Sequence, residues 1–510
     1  MVQTTFLAAL LLACYTPISL ASALPSQKTN SIRNVNNNEH LFVDASHAIR
    51  NAPPENVVTL GAHTRPVTYA GSGLSKRGIQ LGRQALDKRT QDDPPTTHLG
   101  YIFYQRHATI NVTWGNKADA ASPGQTMLSY LSMTESDTWT PSTNYACIGE
   151  PAPRSADFKF PVPPGTPPVN QSVCHFGPLY DVSQGNFTNL TQIMMADGYS
   201  PDNMYLQGSF VKTPITVSGL TVNDQVAAIV EQAAWFGDGQ FSGMLGMGYP
   251  IMTTPCYRAN LTGAGTYDPF VFRLMKDKSK NLQPVFSLAP NRVESGSPAW
   301  ADGGSMALGG LVPSSYYRGN FTTVPVEKVP WAYGGNTKNN DEVYAYYATT
   351  VEMLYGPPGT DLDSPYTPYN ATSIGNPVMV SDAFQAVVDV GTPMTLVPNV
   401  TAYAIGQLFI PSATYNATYS YMLINCNAKP PVVAIRIGGP NGTIFHYDPR
   451  DLIIPFTEDR SYSHCMSAIA DSGPGSNPNQ GTIGLTWLKN NVMAVDLEKN
   501  LMHFAARRPY

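Results

Sequence analysis

One carboxylate in the second half of the sequence has the surroundings of a catalytic group. In Ala386–Pro398, AVVDVGTPMTLVP, an apolar run delivers Asp389 into a turn that contains Gly391, and Thr392 and a second apolar run follow. A carboxylate held in such a turn can serve as a general acid or base in hydrolysis. The same residue also fits a structural role, in which its own loop donates hydrogen bonds to it.

A stretch in the first half has a similar outline but lacks an acid at its turn. Tyr130–Ser142, YLSMTESDTWTPS, has an apolar approach, a short polar segment, and then Trp139 and Pro141. Ser132 suggests a serine nucleophile, but no motif supplies the His and the acid that such a nucleophile needs. The stretch is therefore either an altered catalytic loop or a surface turn.

The cysteines indicate disulfides rather than a metal centre. One of the six lies in an N-terminal segment that we expect to be removed. In an oxidising compartment the sensible pairs are Cys147–Cys174 and Cys426–Cys465, although sequence alone does not fix the connectivity. Cys256 remains as a buried thiol or as a reactive or intermolecular one. Because no C-x-x-C or H-x-x-x-H spacing occurs, we expect no metal ion, and we expect no cofactor.

Many short strands must position these loops. The chain of 510 residues is 42% hydrophobic and 13% charged, with 42 Gly and 44 Pro. Strand-like runs begin after His98, and a second set begins after about Pro290, with turn-forming clusters between the runs. Helical signals are short, as in DPFVFRLMKDK and NVTAYAIGQL. The pattern predicts an all-β, mostly antiparallel protein in two halves.

The N-terminus has the pattern of a secretory signal peptide over residues 1–23. The apolar run FLAALLLACYTPISL precedes the small residues Ala21 to Ala23. No other segment is apolar over about 18 residues, so we expect no membrane span and a secreted, extracellular protein. Ten N-x-S/T sequons support this expectation and are candidate glycosylation sites: Asn111, Asn170, Asn186, Asn189, Asn260, Asn320, Asn370, Asn399, Asn416 and Asn441.

Residues 24–89 have the composition of a removable prosegment. They are polar, rich in Asn and net basic, and contain the dibasic pairs Lys76-Arg77 and Lys88-Arg89. Dibasic pairs in an exposed linker suit a processing protease, and a disordered spacer is the alternative. The part after residue 89 holds 22 basic and 32 acidic residues. This acidic balance argues against nucleic acid or an anionic membrane as a partner.

The Asp389 turn resembles the Asp-Thr-Gly loop of the pepsin-like aspartic peptidases. In that family each of two lobes supplies one such loop, and the two carboxylates share a proton and activate a water molecule between them. Three further stretches match the family in order: Phe241–Pro250, Phe286–Val326 and Thr482–Ala505. The resemblance covers about residues 99–505 and implies a bilobal β fold with a central cleft. It divides the chain into an N-terminal lobe over residues 90–290 and a C-terminal lobe over residues 291–510.

The resemblance also locates a missing carboxylate. In the family a Trp follows the first catalytic Asp by seven residues, and counting back from Trp139 gives Ser132. Met133 and Val390 stand where loop threonines would hydrogen-bond between the lobes, and neither side chain can do so. Thr134 replaces a glycine that permits close backbone approach, so we expect it to restrict that approach.

Other positions of the family's cleft are partly kept. Gly391 and Thr392 match the second loop, whereas Pro393 replaces the usual Ser or Thr. The flap over the cleft aligns with IMMADGYSPDN, which places Met195 where the family has a Tyr. Met195 is either an apolar contact at the cleft rim or a packing residue.

These features favour a secreted, monomeric pseudopeptidase that holds an extended peptide or a secreted protein in the cleft between its lobes. The alternative is an acid-active endopeptidase that pairs Asp389 with a substitute acid. Glu135 is a candidate for that acid, but it lies three residues beyond the expected position, and Asp137 matches a non-catalytic position. An inhibitor or decoy that binds through surface loops is a third hypothesis that the sequence does not separate from the first.

Overall fold

The computed structural model of the chain describes residues 56–62, 108–115, 124–149, 167–199, 204–235, 237, 239–253, 267–292, 301–330, 342–358, 378–416, 421–455, 464–472 and 480–509. The predicted signal peptide, both dibasic pairs, Cys256, Asn260 and Asn370 lie outside the described residues.

Nine strands and one helix come from the first half of the described chain. The strands are β1 (Val57–Ala62), β2 (Ala108–Trp114), β3 (Gln125–Ser132), β4 (Trp139–Cys147), β5 (Thr188–Tyr199), β6 (Met204–Val217), β7 (Leu220–Ala234), β8 (Met244–Gly246) and β9 (Val285–Pro290), and the helix is α1 (Phe270–Lys276). Short 3₁₀ turns lie at Gln171–Val173, Val182–Gln184, Pro250–Met252 and Lys278–Lys280.

The second half of the described chain supplies eighteen strands and two helices. The strands are β10 (Ala301–Leu308), β11 (Tyr317–Pro325), β12 (Val329–Pro330), β13 (Glu342–Val343), β14 (Ala348–Gly356), β15 (Met379–Val380), β16 (Phe384–Val388), β17 (Thr395–Val397), β18 (Thr414–Asn416), β19 (Tyr421–Asn425), β20 (Val432–Ile437), β21 (Thr443–His446), β22 (Ile453–Pro455), β23 (His464–Ser467), β24 (Ile469–Asp471), β25 (Gln480–Ile483), β26 (Asn491–Asp496) and β27 (Leu501–Arg507). The helices are α2 (Asn399–Gln407) and α3 (Leu485–Leu488), and a 3₁₀ turn spans Pro449–Leu452.

The strands form a large shared sheet and smaller sheets of the second half. The thirteen-stranded sheet has the order β11-β27-β26-β9-β10-β1-β2-β3-β8-β4-β7-β6-β5. A second sheet has the order β21-β20-β14-β16-β25-β17-β24, with β15 beside β14, and β18-β19-β23-β22 and β12-β13 form two more. The predicted all-β, bilobal class is confirmed. Both predicted helical segments contain helices, α1 and α2.

Local sequence explains the hairpin that carries much of the first lobe. β6 and β7 are joined by two residues, Ser218 and Gly219, whose φ angles of 52° and 79° lie in the left-handed region. Two such residues match the twist of the flanking strands, which is why a short loop containing Gly favours a tight hairpin. β5 extends this meander and is the terminal strand of the large sheet.

Two three-stranded units of the same design carry the candidate catalytic loops. In the first unit β3 runs parallel to β8, and β8 pairs antiparallel with β4. In the second unit β16 runs parallel to β25, and β25 pairs antiparallel with β17. In each unit the loop therefore leaves one strand, passes the middle strand and returns on its other side.

Aromatic side chains join the two halves of the chain. The Tyr249 ring lies 5.1 Å from that of Tyr347 and stacks on Tyr344 at 5.9 Å between centroids. The Tyr347 hydroxyl donates to the carbonyl of Met247 at 2.6 Å, and the Tyr249 hydroxyl donates to Asn500 at 2.9 Å. Burial raises the pKa of both tyrosines above the ordinary value, so both remain neutral donors.

Strand pairing crosses both of the domain boundaries that we expect from sequence, the end of the prosegment and the division between the lobes. β1 lies within the predicted prosegment, and it pairs antiparallel with β10 on one side and β2 on the other. The boundary at residues 290 and 291 falls between β9 and β10, which pair with each other in the large sheet.

The predicted disulfides are formed. Cys147 bonds Cys174, and Cys426 bonds Cys465, across sequence separations of 27 and 39 residues. Within the described part of the chain, the helices are all too short or too polar to cross a membrane.

Candidate active site

The strand register shows which residue of the first loop corresponds to Asp389. In the first unit Ser132 lies opposite Gly246. In the second unit Val388 lies opposite Ile483, so the next residues, Asp389 and Gly484, are at the equivalent level. Ser132 therefore stands at the position that Asp389 occupies in the other half.

A second, independent contact gives the same correspondence. The hydroxyl of Thr138 accepts a hydrogen bond from the amide of Gly246 at 3.3 Å, and that of Thr395 accepts one from the amide of Gly484 at 3.3 Å. Each threonine follows the first position of its loop by six residues. The two loops are thus built alike, and the difference between them lies in the side chains at their tips.

Asp389 is buried and is held by four donors. Its exposed fraction is 2%. Oδ1 accepts from the amides of Met133 at 2.8 Å and Gly391 at 3.0 Å. Oδ2 accepts from the hydroxyls of Thr392 at 2.7 Å and Thr134 at 3.3 Å. Two of these donors belong to its own loop and two to the facing loop.

Four donors match the acceptor capacity of an ionised carboxylate, which has about four lone-pair sites on its two oxygens. Oδ1 of Asp389 accepts one backbone amide from each loop, and Oδ2 accepts one hydroxyl from each loop. Among the described residues, the groups hydrogen-bonded to this carboxylate do not include a second carboxylate. The arrangement ties the two loops together through one carboxyl group.

Ser132 continues this network without touching Asp389 directly. Its side chain is 3% exposed, and its Oγ lies 3.2 Å from the hydroxyl of Thr134. Ser132 Oγ also accepts from the amide of Glu135 at 3.1 Å. The Thr134 hydroxyl uses its only hydrogen in the bond to Asp389, so in the contact between the two hydroxyls Ser132 is the donor and Thr134 the acceptor. A directed chain of two hydroxyls therefore runs from Ser132 to the carboxylate.

The structure adds a contact between the halves that side-chain types do not encode. The side chains of Met133 and Val390 are fully buried in the hydrophobic core, as apolar residues should be. The bond across the loops comes instead from the backbone amide of Met133. Every residue except proline carries this donor, so the sequence offered no signal for it.

The expected restriction by Thr134 is not seen at this contact, because the neighbouring amide approaches Asp389 to 2.8 Å. Gly391 keeps the close approach from the other side. A Cβ added to Gly391 would lie 2.8 Å from the carbonyl oxygen of Leu131, which is closer than side-chain carbons normally come. Gly391 is therefore required for the two loops to meet.

The neighbouring acid Asp137 has a partner of its own. Asp137 is buried and accepts a hydrogen bond from the hydroxyl of Tyr267. This contact agrees with the expectation that Asp137 is not a catalytic residue. Met195 lies in β5 opposite Gly208 of β6, in the hairpin that the sequence aligns with the flap. Its two expected roles, rim contact and packing, both stay open.

Most of the candidate glycosylation sites lie on the surface. Seven of the ten asparagines are exposed: Asn111, Asn170, Asn186, Asn189, Asn320, Asn399 and Asn441. Asn416 ends β18. Among the described residues, no group of three or more His, Cys, Asp or Glu side chains is placed to hold a metal ion.

Comparison with known proteins places this geometry in context. The sequence profile of the family described as "Eukaryotic aspartyl protease" matches residues 120–353 and 366–507. A "Probable aspartic-type endopeptidase" of Aspergillus fumigatus is 29% identical over 385 residues, which cover 75% of this chain and 76% of that protein. Rhizopuspepsin-3 of Rhizopus niveus is 23% identical over 404 residues, or 79% of this chain and 81% of its own. Cathepsin E of Oryctolagus cuniculus is 23% identical over 348 residues, which cover 67% of this chain and 66% of that protein.

Proposed function

Because the chain belongs to the eukaryotic aspartyl protease family, we propose that it is a pseudopeptidase of that family, secreted and glycosylated, which binds an extended peptide or protein segment without cutting it. The observation that carries the proposal is the state of the two loops. Ser132 stands at the level of Asp389 in the strand register, and the Asp389 carboxylate accepts hydrogen bonds from both loops.

The chemistry of the family explains why this arrangement opposes catalysis. A dyad needs one ionised and one protonated carboxyl around a water molecule. Ser132 offers a hydroxyl, which already donates to Thr134, and four donors occupy the acceptor sites of Asp389. Loss of one member of a concerted catalytic unit costs on the order of 10⁴-fold or more in rate.

Binding requires less than catalysis, and the sheet retains a surface for it. β5 is the terminal strand of the thirteen-stranded sheet and forms the flap-like hairpin with β6. A terminal strand has backbone groups that can pair with an added extended chain. This mode of recognition depends on main-chain hydrogen bonds and therefore does not need the missing carboxylate.

Secretion and glycosylation are supported by separate observations. The two disulfides are of the kind that persists in oxidising compartments. Seven sequon asparagines lie exposed on the surface, where an oligosaccharide can be attached. The signal-like N-terminus agrees with both.

The second candidate is an acid-active aspartic-type endopeptidase with an altered dyad. It is favoured by the name of the Aspergillus fumigatus relative, a "Probable aspartic-type endopeptidase". In this case Asp389 would work with a substitute acid such as Glu135. The backbone amide of Glu135 is bound to Ser132 Oγ, which keeps this residue beside the loop tip.

Proteolysis of a labelled, denatured casein between about pH 3 and 6 distinguishes the two candidates. We expect no cleavage by the wild-type protein. We expect acid-dependent cleavage by the triple variant Ser132→Asp, Met133→Thr, Thr134→Gly, because it restores the family's loop on an intact register. Adding Asp389→Asn to the triple variant should abolish that cleavage.

Cleavage by the wild-type protein that is lost in Asp389→Asn alone and kept in Ser132→Ala would refute the pseudopeptidase proposal. The binding half of the proposal has its own measurement. The fluorescence anisotropy of the labelled casein should rise with added wild-type protein at a pH where no fragment is released. An unchanged anisotropy would contradict peptide binding.

A further inference from the structure

Helix α2 presents two large apolar side chains to solvent. Val400 is 80% exposed and Tyr403 is 52% exposed, and Ile410, three residues beyond the helix, is also exposed. These are three of the six large hydrophobic side chains that are exposed among the described residues. Such side chains normally lie apart from one another, so two of them one turn apart on a short helix, Val400 and Tyr403, call for a cover.

The helix begins at a sequon beside these two side chains. Asn399, followed by Val400 and Thr401, is the first residue of α2 and is exposed. Residues four apart lie on one side of a helix, and residues three apart are also neighbours. Asn399 therefore lies one turn from Tyr403 and beside Val400. The opposite side of the helix is buried through Thr401, Ala402, Ile405 and Gly406.

A buried carboxylate fixes the direction of the Asn399 side chain. Asn399 Nδ2 donates to Oδ2 of Asp471 at 3.0 Å, and the same oxygen accepts from the Tyr415 hydroxyl at 2.9 Å. Asp471 lies in β24 and is buried. An asparagine amide has two N–H bonds. One is used in the contact with Asp471, and since the Asn399 side chain is exposed, the nitrogen remains reachable from solvent.

N-glycosylation replaces one N–H bond of the asparagine by a bond to the first sugar and leaves the other N–H in place. At Asn399 the remaining N–H would keep its bond to Asp471, and the sugar would lie on the solvent side of the nitrogen. The C–H bonds on one face of a pyranose ring are weakly positive and suit the negative face of an aromatic ring.

We propose that Asn399 carries an N-linked oligosaccharide that packs over Val400 and Tyr403 and covers these two side chains of α2, with Asp471 as the residue that orients it. One other exposed sequon among the described residues also has an exposed apolar neighbour, although not on a helix: Val169 directly precedes Asn170. The inference rests on the secretory route of the proposed function and does not depend on whether the protein cleaves peptides.

A matched pair of substitutions at Thr401 tests the inference. Thr401→Val removes the sequon, keeps the shape of the buried side chain and leaves the Asn399–Asp471 contact in place. Thr401→Ser keeps the sequon and is the control. The proteins are produced through a eukaryotic secretory pathway, and peptide mapping by mass spectrometry gives the occupancy of each sequon.

We expect hexosamine on Asn399 in the wild-type and Thr401→Ser proteins. Thr401→Val should bind severalfold more anilinonaphthalene sulfonate and should shift towards dimers in sedimentation velocity. Adding Val400→Ser and Tyr403→Ser to Thr401→Val should reverse both changes. As a check independent of folding during synthesis, trimming the folded wild-type protein to a single sugar should leave its dye binding low, because the first sugar forms the contact.

Three results would overturn the inference. The first is an unmodified Asn399 when other sequons are occupied. The second is an occupied Asn399 whose loss in Thr401→Val changes neither dye binding nor sedimentation. The third is a rise in dye binding on trimming to one sugar as large as that of Thr401→Val. Absence of sugar at every sequon would overturn the inference as well, and it would in addition contradict the proposed secretory route.

Discussion

Acid should destabilise this protein through a histidine that the fold keeps neutral. His503 lies in β27 and is 1% exposed, and its Nδ1 lies 2.8 Å from the hydroxyl of Thr323 in β11. Burial lowers the pKa of His503 from 6.5 to about 4. The nearby carboxylate of Asp496 acts in the opposite direction, and Lys499 adds to the lowering.

The size of the effect follows from the two pKa values. Below pH 6.5 the histidine of the unfolded chain takes up a proton, whereas that of the folded chain does so only near pH 4. The free energy of unfolding therefore falls as the pH drops from 6.5 to 4, by up to about 1.4 kcal/mol per pH unit. Over the whole interval His503 accounts for a loss of roughly 3 kcal/mol, and its full contribution to stability is present above pH 6.5.

Urea unfolding at a series of pH values measures this loss in the wild-type protein and in His503→Asn. An asparagine amide can keep a hydrogen bond to Thr323 but does not titrate. The smaller side chain leaves a cavity, so the comparison concerns the pH dependence and not the absolute stability. The advantage of wild type over the variant should shrink by roughly 3 kcal/mol between pH 7 and pH 4.

A difference between the two proteins that stays constant across this range would refute the reasoning. His446, whose pKa burial and the charge of Arg318 lower to about 4, is present in both proteins and cancels in the comparison. The casein assay overlaps the same pH window. The folded fraction must therefore be measured beside the cleavage rate, so that unfolding is not mistaken for inactivity.

Two further predictions concern what holds the halves together. Tyr347→Phe removes the donor to the carbonyl of Met247 and should lower the free energy of unfolding by about 1–2 kcal/mol in urea titrations; a change near zero would show that water replaces the contact. Replacing Cys426 and Cys465 by serine opens a link of sequence separation 39 and should cost about 4 kcal/mol on the chain-entropy estimate. The unfolding midpoints of the wild-type protein and the serine variant, measured with and without a reductant, test this second prediction. The difference between the two proteins should disappear in the reductant, which opens the same link in the wild type, and an equal difference in both conditions would contradict the prediction.

The sequence predicted much of the framework because its signals are local. Apolar runs between turn residues became strands, as in Ala386–Pro398, which supplies the end of β16, the Asp389 turn and β17. The count back from Trp139 located Ser132, and the register opposite Gly246 gives the same position. Such counts work when a loop keeps its length, because the flanking strands then fix every position in it.

The contacts inside the site were less accessible to sequence reasoning. In the sequence Thr134 is only a replacement for the family's loop glycine, yet in the structure its hydroxyl links Ser132 to Asp389. The amide of Met133 binds the same carboxylate, although the side chain of Met133 is buried in the core. Both contacts depend on how closely two loops that are distant in sequence approach each other, and residue type alone does not encode that approach.

The placement of β1 changes what a cut in the chain would mean. β1 precedes both Lys76-Arg77 and Lys88-Arg89 in the sequence and is held by the strands on either side of it, β10 and β2. While the chain is continuous, β1 is a tethered ligand whose effective concentration is at most about millimolar. After cleavage β1 becomes a separate molecule whose binding follows mass action. At micromolar protein, the ratio of bound to unbound β1 falls by up to roughly a thousandfold relative to the continuous chain. Dilution alone would then decide whether the central position of the large sheet stays filled.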